Sequence, residues 1–345
     1  MTVDDPQGLD LDEFASWAGD EGITLAPPLS AELVAGGHSC LTYVVSDGTG
    51  RRVVVRRPPL GHVLESAHDV VREHRIVAAL QNTAVPVAPT LGVCDRTDVI
   101  GAPFFVMDFV DGGVLHEASA VDAITPESEQ RRTAAFSLID ALGALHSVDV
   151  DEVGLGDLSR RDGYLDRQLK RWERQWSASR TRDRDAMDEL HRWLVDHRPE
   201  PSSEVRIVHG DFRLGNALLR PDGSVAAMLD WELCTLGEPM ADLAYLLRSW
   251  VGPDEPAGPH LEPPTRAGGF PSRDELVARY HEITGRSVDD LDYWVAFNAW
   301  RSAAIAEGVL RRYMDGAMGE RDVDLDAFRR SVEITAAAGL RATGR

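Results

Sequence analysis

The chain is 345 residues long, enough for one large domain or two modest lobes. Its 43% hydrophobic and 27% charged residues are ordinary for a soluble globular protein and allow a real core. Acidic residues outnumber basic ones 57 to 36, a formal charge of −21 that argues against a nucleic-acid binder, which would carry a basic face. Three cysteines, Cys40, Cys94 and Cys234, are widely spaced and form no CxxC pair. That speaks against a disulfide framework or a structural zinc site and fits a reducing compartment. The acidic start, with no basic stretch before an apolar run, does not read as a signal peptide. No apolar run is long enough to span a bilayer, so the expected location is the cytoplasm, with no membrane partner. Lys170 is the only lysine, so any site that would ordinarily use lysine must use arginine or do without.

The first hundred residues read as a small sheet. Val44-Val45 and Arg52 to Val55 are β-rich runs around the turn signal Ser46-Asp47-Gly48-Thr49-Gly50. A flexible turn, Ala35 to Cys40, precedes them. From Ala67 to Gln81 the period changes, with Val70, Val71, Val77 and Ala78 on one helical face and a stop before Pro86. A strand over Phe104 to Met107 then meets Asp108 to Gly113, which reads as a hinge. Beyond it the signal is mostly helical. Thr125-Pro126 reads as an N-cap and first-turn pair opening a helix to about His146, and Tyr164 to Trp176 is a helix rich in tryptophan and arginine. Two short apolar strands follow, Val205 to Val208 and Val225 to Leu229, each ending on polar residues. Gly252 to Pro271 reads as a long surface loop, with helices resuming from about Ser272. The division expected is an N-terminal extension over 1–30, a β-rich lobe over 31–110 and a mainly helical lobe over 111–345. That is an α+β, two-lobed arrangement with the outline of a nucleotide-dependent transferase.

The chemistry concentrates in His209-Gly210-Asp211-Phe212-Arg213-Leu214-Gly215-Asn216, followed by Asp230 in Leu229-Asp230-Trp231-Glu232. Phosphoryl transfer needs a carboxylate to orient the attacking hydroxyl and oxygen ligands for the magnesium that bridges the nucleotide phosphates. An Asp with an Asn five residues on, both past a strand, supplies a base and one ligand; a second Asp at the end of the next strand supplies another. The alternative is that Asp211 and Asn216 merely cap turns, as such residues commonly do.

The pattern H-G-D-x-x-x-x-N with a downstream L-D resembles the signature of the aminoglycoside phosphotransferase-like kinases, distant relatives of protein kinases, over about residues 30–340. The resemblance implies a two-lobed protein-kinase-like fold, ATP or GTP as donor and Mg2+ as cofactor. By it Asp211 is the catalytic base, Asn216 and Asp230 are the metal ligands, and His209 supports the loop. Asp242 buttresses that loop from a helix start. The cation on the third strand that grips the phosphates falls to Arg56, with Arg57 as the competing choice because adjacent strand residues point to opposite faces. Its helix partner is Glu73. The phosphate-covering loop is Gly36-Gly37-His38-Ser39, and adenine is expected to pair with the main chain of Asp108 and Val110. His146 reads as a satisfied core residue.

Within that family the phrases from His209 to Asn216, Leu229 to Pro239 and Leu243-Ala244-Tyr245 resemble the branch associated with acyl-CoA dehydrogenases. Gly215 stands where that branch often has Asp, and Cys40 where Asn is common. The branch implies a hydroxyacyl-CoA or hydroxy fatty acid derivative as acceptor and a functional link to an acyl-CoA dehydrogenase. The arginines Arg167, Arg171 and Arg174, with Trp172 between them and Trp231 and Arg301 elsewhere, are candidates to meet an anionic, CoA-linked acceptor. Their helical spacing equally fits a solvated face. An aminoglycoside kinase and a nucleotide-binding pseudokinase remain as alternatives; the intact Asp211, Asn216 and Asp230 weigh against the pseudokinase.

Overall fold

The structure is a computed structural model that describes residues 6–34, 40–60, 69–200, 204–255, 263–316 and 324–344. It divides into two units, one made of residues 1–112 with 226–232, the other of residues 113–225 with 233–345.

The first unit is built on a five-stranded antiparallel sheet. Helix α1 (Leu11–Asp20) leads into β1 (Ser30–Leu33), β2 (Leu41–Ser46) and β3 (Arg52–Arg57), followed by α2 (Val70–Leu80), β4 (Thr90–Cys94) and β5 (Phe104–Asp108). The spatial order is β1-β2-β3-β5-β4. The turn between β2 and β3 is the one expected from its Ser-Asp-Gly-Thr-Gly run. Asp47 closes it by accepting from the N–H of Thr49 at 2.8 Å and of Arg51 at 2.9 Å. Strand alternation sets the faces: Val53 and Val55 are buried with Tyr43 and Val45 on one side, which sends Arg56 to the other.

The segment 6–30, expected as an extension, is part of this unit. Asp10 caps α1 with its side chain, and the apolar stripe Leu11, Phe14, Trp17 and Ala18 joins the buried face of the sheet. Trp17 meets Phe104 edge-on with ring centres 4.6 Å apart. The stripe has helical period; its partner, the back of a sheet far along the chain, is not readable from the stripe itself. The expected division differs also at 226–232, which group with the first unit: Met228 N–H donates to Pro86 C=O at 2.8 Å.

The second unit opens with β6 (Gly113–Val114), α3 (Val121–Ile124) and α4 (Ser128–Ser147), then α5 (Tyr164–Ser179) and α6 (Asp185–Asp196). The segment from His209 to Asn216 follows β7 (Arg206–Val208), and β8 (Ala217–Leu219), β9 (Val225–Met228, whose last three residues belong to the first unit) and β10 (Thr235–Gly237) come after it. Helices α7 (Pro239–Ser249), α8 (Arg273–Thr284), α9 (Leu291–Met314) and α10 (Leu325–Ala342) complete it. β10 pairs antiparallel with β7, Thr235 opposite Val208. The start of α4 differs from the Thr125-Pro126 cap expected. Glu127 is the N-cap, and it exchanges hydrogen bonds with Gln130 in a capping box. Thr125 is instead buried against the end of α3, its hydroxyl donating to Val121 C=O at 3.3 Å. The core of this unit gathers Leu169, Trp172 and Trp176 of α5 with Leu190 and Leu194 of α6 and Trp294, Phe297 and Trp300 of α9. Among the described residues no helix is long and apolar enough to cross a membrane.

Candidate active site

In the first unit, three charged residues far apart in sequence meet. Arg56, in the middle of the sheet, donates from Nε to Glu73 Oε2 at 2.8 Å and from Nη2 to Asp230 Oδ1 at 2.7 Å. Glu73, on α2, is 4% exposed at its side chain and also accepts from the Trp231 N–H at 3.3 Å. Burial works against the Arg56 charge, but the two carboxylates more than offset it and raise its pKa. Burial pushes the Glu73 carboxyl above its usual range, opposed by the Arg56 charge and hydrogen bond. Asp230 alone among described non-glycine residues has a left-handed backbone, φ 64. Asp tolerates that region better than most side chains do. Cys40 lies in the field of the same charges. Burial first, then Glu73, Glu232 and Asp230 against the opposing pull of Arg56, push its thiol up to about 12.

Arg57 faces away from this group. It donates to the carbonyls of Gly8 and Ile100 and is buried, so its donors tie the N-terminal segment to the sheet. Of the two adjacent arginines, only Arg56 stands with Glu73 and Asp230. Asp108 ends β5 with its N–H on Pro89 C=O at 2.8 Å, and Val110 follows, half-buried. Gly36, Gly37, His38 and Ser39 lie outside the described residues. Trp231, a candidate for acceptor contact, is 2% exposed with its Nε1–H spent on Met228 C=O at 3.1 Å, so it is a core residue and faces no acceptor.

In the second unit, the loop after β7 is held at successive backbone groups. Asp242, 1% exposed near the start of α7, accepts from the N–H of His209 at 2.6 Å and of Gly210 at 2.8 Å. Gly210 has φ 85, and a Cβ there would lie 2.9 Å from Leu233 O, so the turn requires glycine. His209 Nδ1 faces the Asp211 N–H at 3.3 Å. Behind them His146, fully buried, meets the Tyr280 hydroxyl at 2.7 Å through Nδ1 and Asp242 Oδ2 at 3.5 Å through Nε2. Burial holds its pKa below the usual value, so the imidazole is neutral.

The Asp211 carboxylate is oriented by Asn216, whose Nδ2 donates to Asp211 Oδ2 at 2.8 Å and to its carbonyl at 2.9 Å. Oδ1 is buried and lies 3.3 Å from Arg213 Nε without a hydrogen bond's alignment. Arg213 passes over Gly215, where a Cβ would come within 2.2 Å of its Nη1. Tyr245 on α7 is half-buried beside Asp211; burial and then the Asp211 charge raise its pKa and keep the phenol protonated. Neither Arg213 nor Tyr245 is marked by sequence, since each needs the folded loop to bring it to Asp211.

The arginine-rich helix separates into two faces. Trp172 and Trp176 are buried in the core, whereas Arg171 and Arg174 are exposed and Arg174 donates to the Lys170 carbonyl at 3.2 Å. Arg167 donates to Arg160 C=O at 2.7 Å. Of the residues expected to meet an acceptor, Arg301 is the one that reaches the loop after β7: its Nη2 donates to Gly210 C=O at 3.2 Å.

Comparison with known proteins gives three findings. Residues 30–262 match the model of a family described as the phosphotransferase enzyme family. Acyl-CoA dehydrogenase family member 11 of Gallus gallus is 34% identical over 302 residues, covering 84% of this chain and 38% of that protein. Family member 10 of Mus musculus is 35% identical over 286 residues, covering 81% of this chain and 26% of that one. The chain thus spans about two fifths or less of the length of these relatives. A protein of Ralstonia eutropha JMP134, provisionally described as an aminoglycoside phosphotransferase, superposes with TM-score 0.80 at 33% identity over 97% of this chain and 98% of its own. The GDP complex of aminoglycoside 2'-phosphotransferase-IIIa shares the fold at TM-score 0.63 and 15% identity, over 95% of this chain and 97% of its own.

Proposed function

The chain belongs to the phosphotransferase enzyme family and is a small-molecule phosphotransferase, and on that premise we propose a magnesium-dependent transfer from ATP or GTP to a hydroxyl of a hydroxyacyl-CoA or hydroxy fatty acid derivative. The observation that supports the chemistry is Asp211, whose carboxylate Asn216 holds through Oδ2 while Oδ1, buried, meets Arg213 Nε at 3.3 Å. Asp211 orients the acceptor hydroxyl and takes its proton. The bond from that oxygen to the γ-phosphorus forms as the bond to the β,γ-bridging oxygen breaks, and the nucleoside diphosphate leaves. Arg56, oriented by Glu73, holds the nucleotide phosphates as a fork of donors. Asn216 spends its nitrogen on Asp211 and keeps its carboxamide oxygen, and Asp230 offers a carboxylate; both suit a hard oxygen-seeking cation. When bound, the magnesium neutralises phosphate charge. The main chain of Asp108 and Val110 is assigned to pair with adenine.

The acceptor reading is supported by the names of the relatives above 30% identity, which pair this kind of chain with an acyl-CoA dehydrogenase. On that reading the reaction stands ahead of a dehydrogenase acting on the phosphorylated product. An aminoglycoside as acceptor is the second reading, favoured by the description of the Ralstonia protein. Mass spectrometry of a mixture of hydroxyacyl-CoA esters, free hydroxy acids and aminoglycosides with magnesium and ATP decides between them. A phosphorylated hydroxyacyl-CoA that is absent with Asp211→Asn is the expected product. A phosphorylated aminoglycoside alone keeps the chemistry and overturns the acceptor. Nucleotide binding without any product points to a binding module.

A further inference from the structure

We propose that Arg301 is a positioning residue that sets Asp211 by clamping the peptide on its N-terminal side; this rests on the reading of Asp211 as the base. Four backbone groups of the loop are accounted for. The N–H groups of His209 and Gly210 go to Asp242, and the Asp211 N–H faces His209 Nδ1. The Gly210 carbonyl goes to Arg301 Nη2. Gly210 is therefore held between an anion at its N–H and a cation at its C=O, in a left-handed conformation. Glycine resists rotation less than any other residue, so without Arg301 the Gly210–Asp211 peptide keeps only the long 3.3 Å bond of the Asp211 N–H to His209 Nδ1 against swinging. The residue that swings with it is Asp211.

The guanidinium is itself fixed from two sides. Its Cζ lies 5.3 Å from the Trp172 ring centre and 5.6 Å from that of Tyr245, within cation–π range. Trp172 is locked in the core, its Nε1–H on Gln168 Oε1 at 3.0 Å. Tyr245 stands beside Asp211. Arg301 Nε is buried with no hydrogen-bond partner among the described residues. One edge of the guanidinium is spent on the loop, another is buried, and two aromatic rings lie within cation–π range of it. That arrangement suits a strut between α5, α7, α9 and the loop more than a group reading an acceptor. Lysine would keep the charge but lose the planar fork of donors.

Hydrogen–deuterium exchange of the unliganded protein tests this without any acceptor. With Arg301→Ala, peptides spanning 207–217 are expected to exchange about tenfold faster, as their opening becomes easier. Peptides of the first unit should be unchanged, and Arg301→Lys should fall between. Unchanged exchange over 207–217 in the Ala variant overturns the proposal. If the Ala variant does not fold, Arg301→Gln carries the same comparison. In turnover with the identified acceptor, the clamp is expected to show as a fall in kcat with KM within about twofold. A raised KM at constant kcat makes Arg301 an acceptor contact and overturns the clamp. If exchange changes as expected but the wild-type protein transfers no phosphate, the reading of Asp211 fails and the clamp stands.

Discussion

Arg56 holds a buried charge between two carboxylates, and each of the three residues depends on the others. Glu73 is 4% exposed at its side chain, so Arg56→Ala leaves a carboxylate with little water to replace its cation. Removing one partner of a buried pair costs about 3–5 kcal/mol, and denaturant unfolding should show a loss of that order. A cost below about 1 kcal/mol would mean Asp230 and solvent compensate freely. The sign of its pH dependence follows from Glu73, whose pKa is raised in the folded state. Without the arginine that value rises further, and the folded protein binds a proton that the unfolded chain has released, so the deficit should shrink as pH falls through the raised value toward the ordinary carboxylate range. Cys40, with its thiol pushed up to about 12, stays protonated at neutral pH. At pH 8 iodoacetamide should modify it far more slowly in the folded than in the unfolded protein, because the thiolate is the reactive form. Equal rates, followed by peptide mass spectrometry, would contradict that environment.

The β2–β3 hairpin shows what one side chain does for an element. Asp47 accepts from the N–H of Ala26, the N–H and hydroxyl of Thr49 and the N–H of Arg51. These bonds, Ala26 first, lower its pKa to about 2. A depressed carboxylate contributes stability that is complete above its unfolded value of about 3.9 and is lost as pH falls through the folded one. Asp47→Asn should therefore be less stable than the wild-type protein at pH 5 to 7, with the gap narrowing from about pH 4 downward. A gap independent of pH, measured by urea unfolding, would show that shape alone holds the turn. Helix α5 illustrates a different limit. Its arginines and tryptophans alternate at helical spacing, which fits both an acceptor surface and a solvated face. What decides is the partner: Trp294 and Phe297 of α9 cover the tryptophan side and leave Arg171 and Arg174 to water.

Across the whole molecule, the local signals and the tertiary ones divide cleanly. The hairpin, α2, the strand at Phe104 and the loop from His209 to Asn216 are legible because turn residues, periodicity and motif spacing are written within short windows. The Arg56–Glu73 pair was readable only through the family resemblance, since strand alternation allows either Arg56 or Arg57 to face the helix. It is the set of Gly8 and Ile100 carbonyls that claims Arg57. The place of α1 against the sheet, the capping of α4 by Glu127 and the approach of Tyr245 and Arg213 to Asp211 depend on contacts between distant segments. No pattern in one sequence announces them. The acceptor is legible least of all, because most arginines proposed to meet it turn out to be solvated or spent on neighbouring carbonyls.

The measurement that bears most directly on Asp211 compares nucleotide affinity by calorimetry with the rate of γ-phosphoryl transfer, in the wild-type protein and in Asp211→Asn. The expected result is an affinity for magnesium and ATP within about threefold of wild type and a transfer rate lowered at least about a hundredfold, the range for losing a general base. A variant that transfers phosphate at close to the wild-type rate would contradict the assignment of Asp211 as the base.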